Sequence, residues 1–242
     1  MPPENSIAWF RTTHWSVVLA AGAAASPVAT EALERLCRTY WYPLYSFVRR
    51  KGYSPTDAED LTQGFFASFL EKRSVQDAAR EKGKFRTFLL SSLSHFLANE
   101  WDKSNRLKRG GGATHHPLDT VGAEERYEQE SAVIVPAEEC FDRNWAETLL
   151  TLVLALLRAE FESAGKGTRF NELKPFLLDG PEGGNYAAVA ERLEMSEQGV
   201  KSAVHRLRQR FRELFREEIA HTVGTRAEID EELRYLIRLM TR

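Results

Sequence analysis

Apolar positions along this chain recur at steps of three and four, and no helix-sized stretch alternates as a strand would. The pattern predicts an all-α protein. From Thr30 to Arg50 the stripe is Leu33, Leu36, Cys37, Tyr40, Trp41, Leu44 and Phe47. Pro43 is expected to kink or divide that helix, and Gly52 to close it in a left-handed conformation. Ser54 then provides a cap, Pro55 suits a first turn, and Asp57 stands where a carboxylate completes a capping box. That helix buries Ala58, Leu61, Phe65, Phe66 and Phe69. A third, from about Lys84 to Trp101, gathers Phe85, Phe88, Leu89, Leu93, Phe96 and Leu97 on one side.

Between Arg109 and Pro136 the period lapses. Three glycines follow Arg109, and then Asp119, Glu124, Glu125, Glu128 and Glu130 are opposed only by Arg126, which reads as a flexible acidic linker. Periodicity resumes through Trp145, Leu149, Leu152, Val153, Leu156 and Leu157. The expected organisation is an N-terminal extension over 1–29, a helical domain over 30–110, a flexible linker over 111–136, a second helical domain over 137–222 and a helical tail over 223–242. The tail helix is expected from about Arg226 to Met240. The apolar run Ser16–Ala29 has the small residues of a signal-peptide core. It lacks a basic start and is too short to span a membrane, so it reads as a helix packing on the first domain with a loop near Gly22–Pro27.

Composition narrows the function classes. With 43% hydrophobic residues the chain can fill two small cores, and a formal net charge of -2 excludes a uniformly basic binder while allowing local cationic patches. Cys37 and Cys140 have no metal-ligand spacing and read as reduced thiols, which points to the cytoplasm. His115 and His116 have no partner at zinc spacing, so no metal and no cofactor are expected.

Residues 185–214, NYAAVAERLEMSEQGVKSAVHRLRQRFREL, have the spacing of a helix-turn-helix. The first helix would bury Tyr186, Val189, Ala190 and Leu193. Glu194, Met195 and Ser196 would make the turn, with Ser196 as cap. On the second helix Val200, Val204, Leu207 and Phe211 face inward. Gln198, Ser202, His205 and Gln209 face outward, flanked by Lys201, Arg206 and Arg212. Short hydrogen-bonding side chains early and arginines later suit a helix that reads base edges and clamps phosphates. An amphipathic hairpin with a merely solvated face is the plainer alternative.

Two further surfaces stand out in the first domain. Asp57, Glu59, Asp60 and Gln63 give one helix an acidic, amide-bearing side suited to docking on a basic protein groove. The plain alternative is an acidic first turn favoured by the helix dipole. A hydrolytic metal cluster fails, for no second carboxylate-bearing segment of suitable pattern accompanies it. Around the third helix, Lys84, Arg86, His95, Asn99, Trp101, Lys103 and Arg106 interleave cations with an amide and an indole. Single-stranded nucleic acid requires such a mixture, because phosphates need charge and unstacked bases need flat partners.

The order of DAEDLTQ, GKFRTFLLSSLSHFLANEWDK, a linker and MSEQGVKSAVHRLRQRFREL resembles the sigma-70 family, and more narrowly its small extracytoplasmic-function members. The resemblance covers roughly Leu33 to Phe215. It implies a region 2-like bundle and a region 4-like helix-turn-helix domain, and a cytoplasmic, non-enzymatic protein that directs transcription initiation. It implies that Asp57, Glu59, Asp60 and Gln63 bind core RNA polymerase. Lys84, Arg86, His95, Asn99, Trp101, Lys103 and Arg106 would then meet the -10 element, with melted bases flipped out. Gln198, Lys201, Ser202, His205, Arg206 and Gln209 would meet the -35 element. Any anti-sigma factor or other regulator would be a separate chain, and no membrane partner is expected. Departures are Gly64 where the family usually has Glu, His95 where many members have Asn, the long stretch 165–184 ahead of the helix-turn-helix, and the two terminal extensions. Two other functions remain open on the residues alone: a stand-alone helix-turn-helix regulator, expected to bind duplex DNA without polymerase, and a nucleic-acid enzyme using the acidic cluster.

Overall fold

The computed structural model describes residues 27–71, 84–106, 122–130, 135–178, 184–223 and 225–240, and every regular element among them is helical. The apolar run from Ser16 to Ser26, the glycines at 110–112 and the pair His115–His116 lie outside the described residues. In chain order the helices are α1 (Pro27–Arg50), α2 (Pro55–Glu71), α3 (Phe85–Arg106), α4 (Ala123–Glu130), α5 (Ala137–Ser163), α6 (Gly167–Leu173), α7 (Pro175–Leu178), α8 (Tyr186–Arg192), α9 (Glu197–Ala220) and α10 (Arg226–Met240). The chain divides into two compact units, Met1–Glu147 with Ala220–Arg242, and Thr148–Ile219. The expected boundary near Ala137 therefore falls instead inside α5, and the tail is part of the first unit rather than an appendage.

In the first unit, α1 runs unbroken through Pro43. Tyr40, Leu44, Phe47 and Val48 are buried on both sides of the proline, so packing holds the helix together across the missing amide. The Ser46 hydroxyl donates to the Pro43 carbonyl at 3.0 Å and accepts from the Asn144 amide at 2.7 Å, so both buried polar side chains find partners. Gly52 ends the run at φ +94°, a backbone setting that suits glycine, with its amide bonded to the Arg49 carbonyl. Ser54 caps α2 by accepting the Asp57 amide at 3.2 Å, while its hydroxyl donates to the Asp57 carboxylate at 2.7 Å. The core is strongly aromatic: Tyr40 meets Phe85 edge-on at 5.5 Å and stacks on Trp145 at 6.4 Å, and Phe65 meets Phe96 at 5.8 Å. Such pairs contribute about 0.5–1.5 kcal/mol each beyond the area they bury.

Part of the expected linker is a docked helix. α4 carries Glu124, which accepts two hydrogen bonds from Arg49 at 2.9 and 2.6 Å and a third from the Tyr45 hydroxyl. Arg126 lies 3.8 Å over the Tyr42 ring, and Arg49 lies 4.7 Å over Tyr127. The attachment is made by charges on rings and carboxylates, which hydrophobic periodicity does not register.

In the second unit, Leu149, Val153, Leu157, Phe170, Leu173, Phe176, Val200, Val204 and Leu207 are buried. The stretch ahead of the helix-turn-helix is structured through α6 and α7, and the Phe176 ring stands 4.6 Å from Tyr186. Asn185 caps α8 by accepting the amides of Ala187 and Ala188. α8 ends in a paired-hydrogen-bond stop: the Met195 amide reaches the Ala190 carbonyl and the Glu194 amide the Glu191 carbonyl. This closure forces Glu194 to φ +51°, in the left-handed region. The Ser196 hydroxyl then accepts the Gly199 amide at 3.1 Å and starts α9.

Two stability predictions follow from these elements. A left-handed non-glycine residue costs roughly 1 kcal/mol, so Glu194→Gly is expected to raise, and Glu194→Val to lower, the unfolding free energy by about that much, read as shifts of the urea midpoint. Equal midpoints for all three proteins would refute the strain. For α4, hydrogen bonds from Arg49 and then Tyr45 outweigh burial and hold Glu124 below the usual carboxylate value of 4.5. A carboxyl whose pKa is lowered on folding stabilises above its unfolded pKa, and the contribution disappears as pH falls through the lowered folded value. Glu124→Gln should cost about 1–2 kcal/mol at pH 7 and progressively less as the pH is taken down below 4.5, measured by urea unfolding across that range.

Candidate nucleic-acid interface

The second unit presents the clearer surface. At about 100° per residue, Gln198, Lys201, Ser202, His205, Arg206 and Gln209 fall on one side of α9, opposite Val200, Val204, Leu207 and Leu214. All six are exposed except Ser202, which is half-buried. Two other cations of this helix are engaged within the unit, while Arg212 is exposed on the forward side. Arg208 donates twice to the Phe176 carbonyl, at 3.0 and 2.6 Å, and Arg210 bonds Glu160, Glu213 and Glu217. Those contacts tie the back of α9 to α5 and α7 and leave the forward face to solvent. Lys201 stands 5.6 Å over the Tyr186 ring and Gln209 donates to Glu213 at 3.1 Å, so two members of the face are oriented by neighbours. A helix so presented can meet base edges with its amides, hydroxyl and imidazole, and phosphates with Lys201 and Arg206. Phe211, expected inward, is half-buried and packs 5.8 Å from Phe215.

The residues expected along α3 separate into two groups. His95 and Asn99 are exposed one turn apart, with Lys103 a further turn along, while Trp101, 61% exposed, lies about 160° round the helix from Asn99. Lys103 bonds Glu100 at 2.6 Å, an exposed pair of little energetic weight. Arg106 lies in the last turn of the helix, its side chain outside the described residues. At the other end Lys84 is half-buried against Glu232, and Arg86 is buried between Glu232 and Asp142, so Arg86 is corrected from an exposed contact to an internal one. Sequence spacing did not reveal this, since the partners lie 56 and 146 residues away.

Next to Trp101 is a groove of about 520 Å³ lined by Phe47, Lys51, Tyr53, Ser94, Leu97, Ala98, Trp101 and Asp102. Of this lining only Trp101 stands out in the sequence, and the α1 side does not. Its signal was the Lys51-Gly-Tyr53 turn, where Gly52 brings a cation and a ring together. Flat walls, an ammonium 4.9 Å from the Phe47 ring and a carboxylate can receive an unstacked base.

On α2, Asp57 and Asp60 are exposed and Glu59 is half-buried, but Gln63 is buried at 9% exposure. Three-residue steps fall about 60° short of a turn each, so Gln63 lies about 120° round from Asp57 and off the acidic face. Gly64, one turn beyond Asp60 on the same side of α2, is half-buried, and an added Cβ would stand 3.4 Å from the Phe96 ring. Among the described residues no helix is long and apolar enough to cross a membrane, and no group of three or more His, Cys, Asp or Glu could hold a metal ion. Comparison with family models, curated proteins and solved structures gives no match for this chain.

Proposed function

We propose that this chain is a sigma factor of the sigma-70 family, of the extracytoplasmic-function type, which binds core RNA polymerase and directs it to promoters without catalytic activity of its own. The observation that carries the proposal is the face Gln198, Lys201, Ser202, His205, Arg206 and Gln209 presented behind a tightly closed turn, with Arg208 and Arg210 of α9 engaged elsewhere. That face supports duplex recognition at the -35 element. Trp101 and its groove support capture of a melted -10 base, and His95, Asn99 and Lys103, exposed on another side of α3, support contact with the strand. Asp57 and Asp60, exposed on α2 and unsuited to DNA, support docking on a cationic protein surface, while Glu59 lies about 160° round from Asp57 and off their face.

Capture of purified bacterial core RNA polymerase by the full chain tests the reading. The wild type should retain polymerase and Asp60→Arg should not, with unchanged circular dichroism. Capture by neither, alongside sequence-specific duplex binding by the free chain, would replace the sigma reading with an autonomous regulator. In the reconstituted complex, Lys201→Ala or Arg206→Ala should cost roughly 1–3 kcal/mol of promoter affinity if a base is contacted. A change confined to the salt dependence and uniform across sequences would assign that side chain to phosphate.

A further inference from the structure

The C-terminal helix supplies the carboxylate that occupies the two cations at the start of α3. Glu232, 1% exposed, accepts from Arg86 Nε at 2.5 Å and Nη2 at 3.4 Å, and meets Lys84 Nζ at 2.5 Å. Asp142 of α5 closes the cluster by accepting from Arg86 and from the Tyr235 hydroxyl. Arg86 also lies 4.7 Å over the Tyr235 ring and 5.4 Å over Trp145. The backbone joins in, the Phe85 amide donating to the Thr222 carbonyl at 2.9 Å.

A carboxylate gripped by a guanidinium fork and an ammonium has the bonding pattern of a backbone phosphate in the same grip. The apolar hold on this helix is slight. Of the residues from Arg226 to Met240 only Glu232 and Leu236 are buried, while Ile237 and Met240 are 55% and 42% exposed. The helix is therefore fastened largely by charge, and charge is what a polyanion competes for.

We propose that α10 is an autoinhibitory clasp: Glu232 stands in for a nucleic-acid phosphate at Lys84 and Arg86, and single-stranded DNA reaching these residues displaces the helix. The inference deepens the -10 role proposed above and takes the identity of its ligand from it. Closed and open states share one pair of cations, so the closed population lowers apparent DNA affinity by the fraction it occupies. Any factor that holds the outer face of α10 in the open state would raise affinity by the same linkage.

The test uses the full chain, a fluorescein-labelled mixed-sequence single-stranded 20-mer as probe, and hydrogen exchange of residues 226–240. Glu232→Gln, which keeps the shape and removes the charge, should bind the probe about tenfold more tightly and speed exchange across α10. Glu231→Gln, exposed and adjacent, removes the same formal charge and should do neither. Saturating the wild type with the probe should speed exchange over the same residues, an arm that does not depend on the variant folding. Equal affinities for the two variants, no probe binding at all, or unchanged wild-type exchange at saturation would each overturn the clasp. Polymerase capture separates this from the wider reading: capture with no clasp effect leaves the sigma proposal standing, and a clasp effect without capture leaves a latched single-strand binder.

Discussion

A guanidinium cannot shed its proton to escape burial, and Arg86 is buried at 7% exposure. Burial works against its charge, but hydrogen bonds and the charges of Glu232 and Asp142 more than compensate and raise its pKa above the ordinary arginine value. Asp142, in turn, works with burial to push the Tyr235 phenol up to about 12, burial being the larger cause. The first unit is organised by this requirement. α5 and α10 must each deliver a carboxylate to the start of α3, and in doing so they enclose Trp145 and Phe85 beside Tyr40. Removing one partner of such a cluster typically costs 3–5 kcal/mol, far more than any exposed pair in the molecule. The C-terminal segment is thereby a structural member of the first unit.

The same logic sorts the arginines and lysines by availability. Arg49 is bound to Glu124, Arg86 to Glu232 and Asp142, Arg208 to a carbonyl and Arg210 to three glutamates. What remains on the forward surfaces is sparse and set among amides, hydroxyls, an imidazole and an indole. A net charge of -2 is compatible with nucleic-acid recognition on these terms, because Glu124, Asp142, Glu160 and Glu232 neutralise interior or lateral cations rather than the reading faces.

Much of the helical layout was legible in the amino-acid order. Gly52, Ser54 and Ser196 mark ends or starts through local chemistry, and the stripe Val200, Val204, Leu207 is buried as its period demands. Three features were not. Pro43 marks a break in sequence terms, yet long-range burial overrides it. α4 attaches through ion pairs and cation–ring contacts, which carry no apolar period, and so looked like linker. Arg86 belongs by spacing with the exposed basic residues, and only partners distant in sequence move it inside. At the candidate site, the face of α9 was readable because one helix contains it. The groove beside Trp101 was not, because Phe47, Lys51 and Tyr53 come from elsewhere in the chain. Gln63 shows a smaller limit, since a three-residue step imitates a helical face only briefly before drifting off it.

The strained turn at Glu194 also has a meaning in the currency of the genetic code. Both glutamate codons, GAA and GAG, become glycine codons by one change at the second base. Glutamate is therefore held at φ +51° only one nucleotide from the residue that relaxes it. A lineage selected at higher temperature could reach the relaxed turn in a single mutational step, without altering any of the six residues on the reading face of α9. The promoter specificity proposed for this chain and the thermal tolerance of the unit that bears it are thus separable by inheritance, although they sit within fifteen positions of each other in sequence.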